Sequence, residues 1–307
     1  MRLISVLLTA TALLASLASA AVVRWFRWST FCPILRVHGY KTETERRKRL
    51  PNMQRHLLAY DRLLPCNYTL AARVAVALML PLCAAPAALS SEFPVLRPKS
   101  TVVFIGDSIT DGGRARTGRD YNHTMGQSYA FILAAMLGDQ LAERDLTFIN
   151  RGISGNTVPD LQARWKADVL DLKPDFLSIL VGVNDTFFPK GGGETVEQYE
   201  QGYDQLLGDT LAALPGVKIV LGQPFLLPVG KFKDNYATAL SKLKERQAAV
   251  DRLAAKYHLP VIRYQEAFDA ACRRAPADHW SWDGVHPHYA GHALMAREWV
   301  KSVSLLK

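Results

Sequence analysis

The chain has 307 residues, 49% apolar and 21% charged, long enough for a buried core and too apolar for wholesale disorder. Four cysteines exclude a disulfide-dense scaffold. The net charge of +9 raises nucleic acid or an anionic membrane as partners, but it is unevenly spread: residues 1–100 carry 14 Lys and Arg against 4 Asp and Glu, and the remainder 23 against 24. A near-neutral remainder does not suggest a nucleic-acid surface.

The first hundred residues read as a leader, with domain-like organisation beginning at about residue 95. Residues 3–22 are apolar behind Arg2 and end in Ala18-Ser19-Ala20, the pattern of a secretory signal peptide or a single membrane anchor. A second such segment runs from Val74 to Cys83 behind Arg73 and is followed by Ala85-Pro86-Ala87. It lies too deep for an ordinary signal peptide, which implies either a true start near Met53 or a tandem arrangement. Export to the periplasm or exterior, or membrane anchoring through the N-terminus, is the expectation, and a cytoplasmic protein if the leader is a mis-assigned start. The basic run Glu45-Arg46-Arg47-Lys48-Arg49 reads as a solvated juxtamembrane stretch, a point of membrane contact. Cys32, Cys66 and Cys83 fall in this leader, so residues 95–307 hold Cys272 alone and no internal disulfide.

From residue 95 onward, short apolar β-branched runs recur at 101–106, 146–150, 176–182, 217–222 and 260–264. Near-continuous apolar strands are expected where both faces of a parallel sheet are covered. Between them run 3.6-residue patterns. Residues 126–137 give a first helix. Val158, Leu161, Trp165, Val169 and Leu172 mark another, stopped by Pro174. Val196, Tyr199, Tyr203, Leu206, Leu207 and Leu211 follow a capping pair, Thr195 with Gln198. Tyr236, Leu240, Leu243, Val250 and Leu253 mark the next, and residues 290–303 the last, with Ala290, Ala293 and Leu294 on one face. This alternation predicts an α/β fold with an open parallel sheet between helical layers. Ligands then bind beyond the carboxyl ends of the strands.

Three unusual segments follow predicted strands, and a fourth precedes the last helix. Gly106-Asp107-Ser108-Ile109-Thr110-Asp111-Gly112-Gly113 can expose a serine hydroxyl at a strand end, although a plain Ser turn would look the same. It is neither a phosphate loop nor a G-x-S-x-G elbow. Asn150-Arg151-Gly152-Ile153-Ser154-Gly155-Asn156-Thr157 lets a backbone N–H face a site, or is a simple strand-to-helix turn. In Gly182-Val183-Asn184-Asp185, Asn184 offers a side-chain donor suited to an oxyanion, or an Asx turn. In Trp282-Asp283-Gly284-Val285-His286-Pro287, an Asp three residues before a His can hold the imidazole through Nδ1 while Nε2 faces a nucleophile. His286, His288 and His292 cluster in sequence, but no Cys or second carboxylate pair completes a metal-ligand set. Neither a metal nor a cofactor is expected.

Taken in order, Ser108 in Gly-Asp-Ser-Ile-Thr, Gly155, Asn184, and His286 with Asp283 resemble the four blocks of the SGNH (GDSL-type) hydrolases. The likeness covers about residues 100–305, nearest to the bacterial acetyl xylan esterases of that superfamily. That nearer likeness rests on 106–116, on 152–165 and on 282–287 with Ala290-Gly291-His292. The resemblance implies a three-layer α/β/α sandwich around a five-stranded parallel sheet. It also implies a serine esterase that removes short acyl groups, acetyl above all, from xylan-type or other carbohydrates. Ser108, Asp283 and His286 would be catalytic. Ser108 and Gly155 N–H and the Asn184 amide would form the oxyanion hole. Asp107 and Trp282 would meet substrate, Trp282 by walling an acyl pocket or stacking on a sugar, where core packing is its bland alternative. Loops 112–119 and 187–193 would frame the mouth. The other readings are a lipid-directed hydrolase, such as a lysophospholipase or thioesterase, and a non-catalytic carbohydrate-binding module on the same fold.

Overall fold

The computed structural model describes residues 93–118, 120–188 and 195–306. Both leader segments, the basic run and Cys32, Cys66 and Cys83 lie outside the described residues, as do residues 119 and 189–193 of the expected mouth loops.

Five parallel strands form one sheet: β1 Thr101–Gly106, β2 Thr147–Asn150, β3 Phe176–Leu180, β4 Lys218–Gly222 and β5 Val261–Ile262, in the order β2-β1-β3-β4-β5. Side chains alternate across the sheet, as a two-residue period requires. Val102, Phe104, Phe176, Leu180, Val220 and Ile262 face one layer, and Val103, Ile105, Leu177, Ile179, Ile219 and Leu221 face the other. Both sets are buried, which is why the runs carry no polar alternation. Each large side chain so buried contributes about 1.5–3 kcal/mol.

The nine helices described are α1 Ser108–Asp111, α2 Tyr121–Met125, α3 Tyr129–Gln140, α4 Val158–Trp165, α5 Val183–Phe187, α6 Val196–Ala213, α7 Tyr236–Tyr257, α8 Tyr264–Cys272 and α9 Tyr289–Val303. Leu133 and Leu137 of α3, Phe268 of α8, and Leu294, Met295 and Trp299 of α9 cover the first face. Val158, Leu161 and Trp165 of α4, Tyr203 and Leu207 of α6, and Val250 and Leu253 of α7 cover the second. The result is the three-layer α/β/α sandwich with five parallel strands. Among the described residues no helix is long and apolar enough to cross a membrane.

Several boundaries differ from expectation, each for a local reason. The helix expected from residue 126, α3, starts at Tyr129 because Gly126 takes a positive φ and Ser128 caps the turn by accepting from Ala130 N. The α4 pattern continues past Trp165 as a π turn, Lys166–Leu170, closed by Asp171 N donating to Lys166 O at 2.8 Å, with Val169 still buried. β5 has two residues because Tyr264 already begins α8, a helix absent from the sequence reading. On α9 the buried face is centred on Leu294, Met295 and Trp299 and includes His292, while Ala290 and Ala293 sit at its margin.

Beyond the carboxyl ends, β1 lies between β2 and β3, so the chain leaves neighbouring strands in opposite directions. That switch point is where a crevice opens in sheets of this kind. Ser108, Gly155 and Asn184 follow β1, β2 and β3 in turn.

Candidate active site

Ser108 is the first residue of the one-turn helix α1. Asp107 caps it, Oδ1 accepting from Ile109 N at 2.9 Å. The turn's own hydrogen bonds begin after Ser108, which leaves the Ser108 N–H ahead of them. The Ser108 Oγ lies 2.7 Å from His286 Nε2. Asp283 Oδ2 lies 2.7 Å from His286 Nδ1, and Asp283 Oδ1 accepts from Val285 N and His286 N at 2.9 and 2.8 Å. The loop bearing this pair is closed by Ser281, whose Oγ donates to His286 O and accepts from Gly284 N.

These contacts set the protonation equilibria. The hydrogen bond to Asp283 raises the His286 pKa above 6.5 against the opposing effect of burial. For Asp283, burial acts upward but is outweighed by His286 and the two backbone N–H groups, so its pKa is lowered. Burial raises Asp107 to about 7, helped by the nearby charge of Asp185. Burial lowers His292 to about 4, so it is neutral at pH 7, with Nδ1 accepting from Tyr129 N.

Gly155 has φ of +79°, a backbone conformation that side chains rarely adopt, in a turn closed by Asn156 N to Ile153 O. Asn184 lies in the first turn of α5, buried, and its Nδ2 donates to Asn156 O at 3.0 Å. That bond occupies one amide hydrogen and orients the other. The neighbouring Asp185 accepts from Val158 N at 2.7 Å and so ties α5 to the start of α4.

Asp107, expected to meet substrate, is the cap of the serine turn. It is 1% exposed beneath the serine turn, and its Oδ2 is buried with no hydrogen-bond partner among the described residues. Trp282 is 61% exposed and stacks on His286, ring centroids 5.5 Å apart and planes at 17°, so it is no core residue. Sequence reasoning assigned no role to Asp111, Arg116 or Ser154, which the structure joins beside the serine turn. Asp111 stood within a quoted motif, but its partners are 5 and 43 residues away. Among the described residues no group of three His, Cys, Asp or Glu is arranged to hold a metal ion.

Residues 104–294 match the model of the GDSL-like Lipase/Acylhydrolase family. The chain belongs to this GDSL-like family. Its members include the SGNH hydrolases that the four blocks resemble, and this GDSL-like protein is a carboxylic ester hydrolase. It is 32% identical over 222 residues to an acetylxylan esterase of Geobacillus stearothermophilus, covering 66% of this chain and 96% of that one. The crystal structure of Axe2, an acetylxylan esterase from the same organism, superposes with a TM-score of 0.62 at 31% identity, over 69% of this chain and 97% of the other. A shorter stretch of 85 residues is 41% identical to the uncharacterized lipoprotein YqeF of Bacillus subtilis, 27% of this chain and 31% of that one.

Proposed function

We propose that this GDSL-like hydrolase removes acetyl groups from xylan-type carbohydrates through a Ser108–His286–Asp283 triad. The observation that carries the reading is the unbroken chain of contacts from Ser108 Oγ through His286 to Asp283, both links at 2.7 Å. Ser108 Oγ attacks the ester carbonyl carbon while His286 Nε2 takes its proton. The oxyanion is received by the N–H groups of Ser108 and Gly155 and by the free amide hydrogen of Asn184. Collapse expels the sugar hydroxyl, protonated by His286, and leaves acetyl on Ser108. His286 then deprotonates water, which attacks the acyl-enzyme and releases acetate. Asp283 holds the imidazole in the required tautomer and stabilises its cation. No step calls on a metal or cofactor.

The acetyl-sugar assignment draws on the acetylxylan esterase relatives and on Trp282, an exposed indole face beside His286 on which a sugar ring can stack. The lipoprotein relative supports export or membrane anchoring through the leader, residues 1–94, with the hydrolase domain at 95–307. The test is acetate release from acetylated xylan and xylo-oligosaccharides, with EDTA present, beside hydrolysis of p-nitrophenyl acetate and a long-chain ester. Preference for the acetyl esters and complete loss in Ser108→Ala support the reading. Preference for the long chain would make the enzyme lipid-directed, and activity surviving in Ser108→Ala would remove the triad.

A further inference from the structure

The mechanism above needs Ser108, Gly155 and Asn184 at fixed separations, yet they follow three different strands. The geometry points to Asp111 as the positioning residue that sets this register, an inference that rests on the catalytic reading above.

Asp111 closes the same single helical turn that Ser108 opens and is 1% exposed. Its Oδ2 accepts from Ser154 N at 2.9 Å, Ser154 Oγ at 2.8 Å and Arg116 Nη2 at 2.6 Å, and its Oδ1 accepts from Arg114 N at 3.1 Å. The backbones meet directly here. A Cβ on Gly152 would stand 2.3 Å from Asp111 N, so only glycine lets the β2 loop lie against α1. From the same side Arg114 Nε and Arg116 Nη1 donate to Gly152 O at 2.8 and 2.9 Å.

Ser154 immediately precedes Gly155, and the next carbonyl, Asn156 O, receives the Asn184 amide. One carboxylate on the nucleophile's own turn therefore fixes the segment that presents Gly155 N–H and, through Asn156 O, the donor of Asn184. A carboxylate suits the task because it only accepts hydrogen bonds. Burial acts against its ionisation, and the Arg116 and Ser154 bonds outweigh it, so its pKa is lowered. An asparagine could satisfy Ser154 or Arg114 but would aim an N–H₂ group at the other's N–H.

The distinction from a merely structural role lies in what the clamp does to the transition state. A loosened oxyanion hole lowers kcat and weakens a tetrahedral adduct while leaving ground-state binding nearly intact. Asp111→Asn and Ser154→Ala, made in the full chain, are assayed on p-nitrophenyl acetate for kcat and KM. They are also titrated with a boronic acid that adds to the Ser108 hydroxyl, and melted for Tm. Asp111→Asn is expected to lower kcat about 10- to 100-fold with KM within about threefold, and to weaken the boronate by a similar factor as kcat/KM. Ser154→Ala loses one of the four donors and is expected to follow in the same direction by about three- to tenfold. If Asp111→Asn fails to fold, Ser154→Ala carries the test alone. An unchanged kcat and boronate affinity per folded molecule, whatever the Tm, overturns the inference. Failure of the catalytic reading would show separately, as activity retained in Ser108→Ala.

Discussion

The two halves of the site are held in opposite ways. The half that bears Ser108, Gly155 and Asn184 is built from three strand ends and pinned by buried polar side chains far apart in sequence, Asn150 Nδ2 to Met125 O, Asp185 Oδ1 to Val158 N, Ser154 N to Asp111. The half that bears Asp283 and His286 is one short loop, more exposed, whose internal side-chain hydrogen bonds span two to five residues and which is tied to the chain after β4 by Leu227 N donating to Gly284 O. In the proposed mechanism the first half presents fixed donors where charge develops and gains from being unable to relax. In the same mechanism the second half passes a proton between His286 and its partners, and the Asp283–His286 pair is set by bonds within the loop.

That contrast can be strained from both sides. The largest effect is expected in the loop half: Asp283→Asn should leave the fold intact and lower kcat about 10³- to 10⁴-fold, because the imidazole loses the acceptor that fixes its tautomer. Steady-state rates on p-nitrophenyl acetate check this, and a loss under tenfold would place proton handling elsewhere. In the strand-end half, Asn184→Ala should lower kcat about 10²- to 10³-fold with a smaller change in KM. An unchanged kcat would take Asn184 out of the oxyanion hole. Trp282→Ala should have a split effect, a few-fold on p-nitrophenyl acetate and about tenfold in kcat/KM on acetylated xylo-oligosaccharides, a loss of about 1.4 kcal/mol for the stacked sugar. Equal losses on both substrates would assign Trp282 to His286 alone.

The smallest effect concerns pH and links the halves. His286 must be neutral to act as base, and its pKa is raised, so kcat/KM should fall as pH drops through a value above 6.5. The Asp107 charge contributes to that rise, so Asp107→Asn should move the acid limb to lower pH. The same variant reports on stability. Burial pushes the folded Asp107 carboxyl up to about 7 from its ordinary 3.8, so the native state binds its proton more tightly. Its ionisation therefore costs stability increasingly as pH rises from 3.8 to 7 and fully above 7. Asp107→Asn should raise Tm more at pH 8 than at pH 4; an equal change at both would mean that burial does not perturb this carboxyl.

The same division explains what the sequence made legible. The strands stood out because β1, β3 and β4 are buried on both faces and read as apolar runs. The Asp283–His286 relationship stood out because its partners are three residues apart. Asp111 with Ser154 did not, because a contact 43 residues apart leaves no local spacing. The capping role of Asp107 did not stand out, since a capping aspartate and a substrate-facing one look alike beside a serine. α8 went unread because only Arg263 separates it from a two-residue strand, and the apolar run 260–264 reads as strand through to Tyr264. Residues 1–94, expected to form a leader, lie almost wholly outside the described residues.

The sheet order has a consequence in time. β1 is the first of the described strands yet sits inside the sheet, so its second edge is filled only when β3, more than seventy residues later, arrives. The base that reaches Ser108 lies 178 residues further on. Such non-local closures are slow steps in folding. A growing or refolding chain thus carries its serine long before it has anything to activate it, and ester cleavage should be among the last properties the molecule acquires.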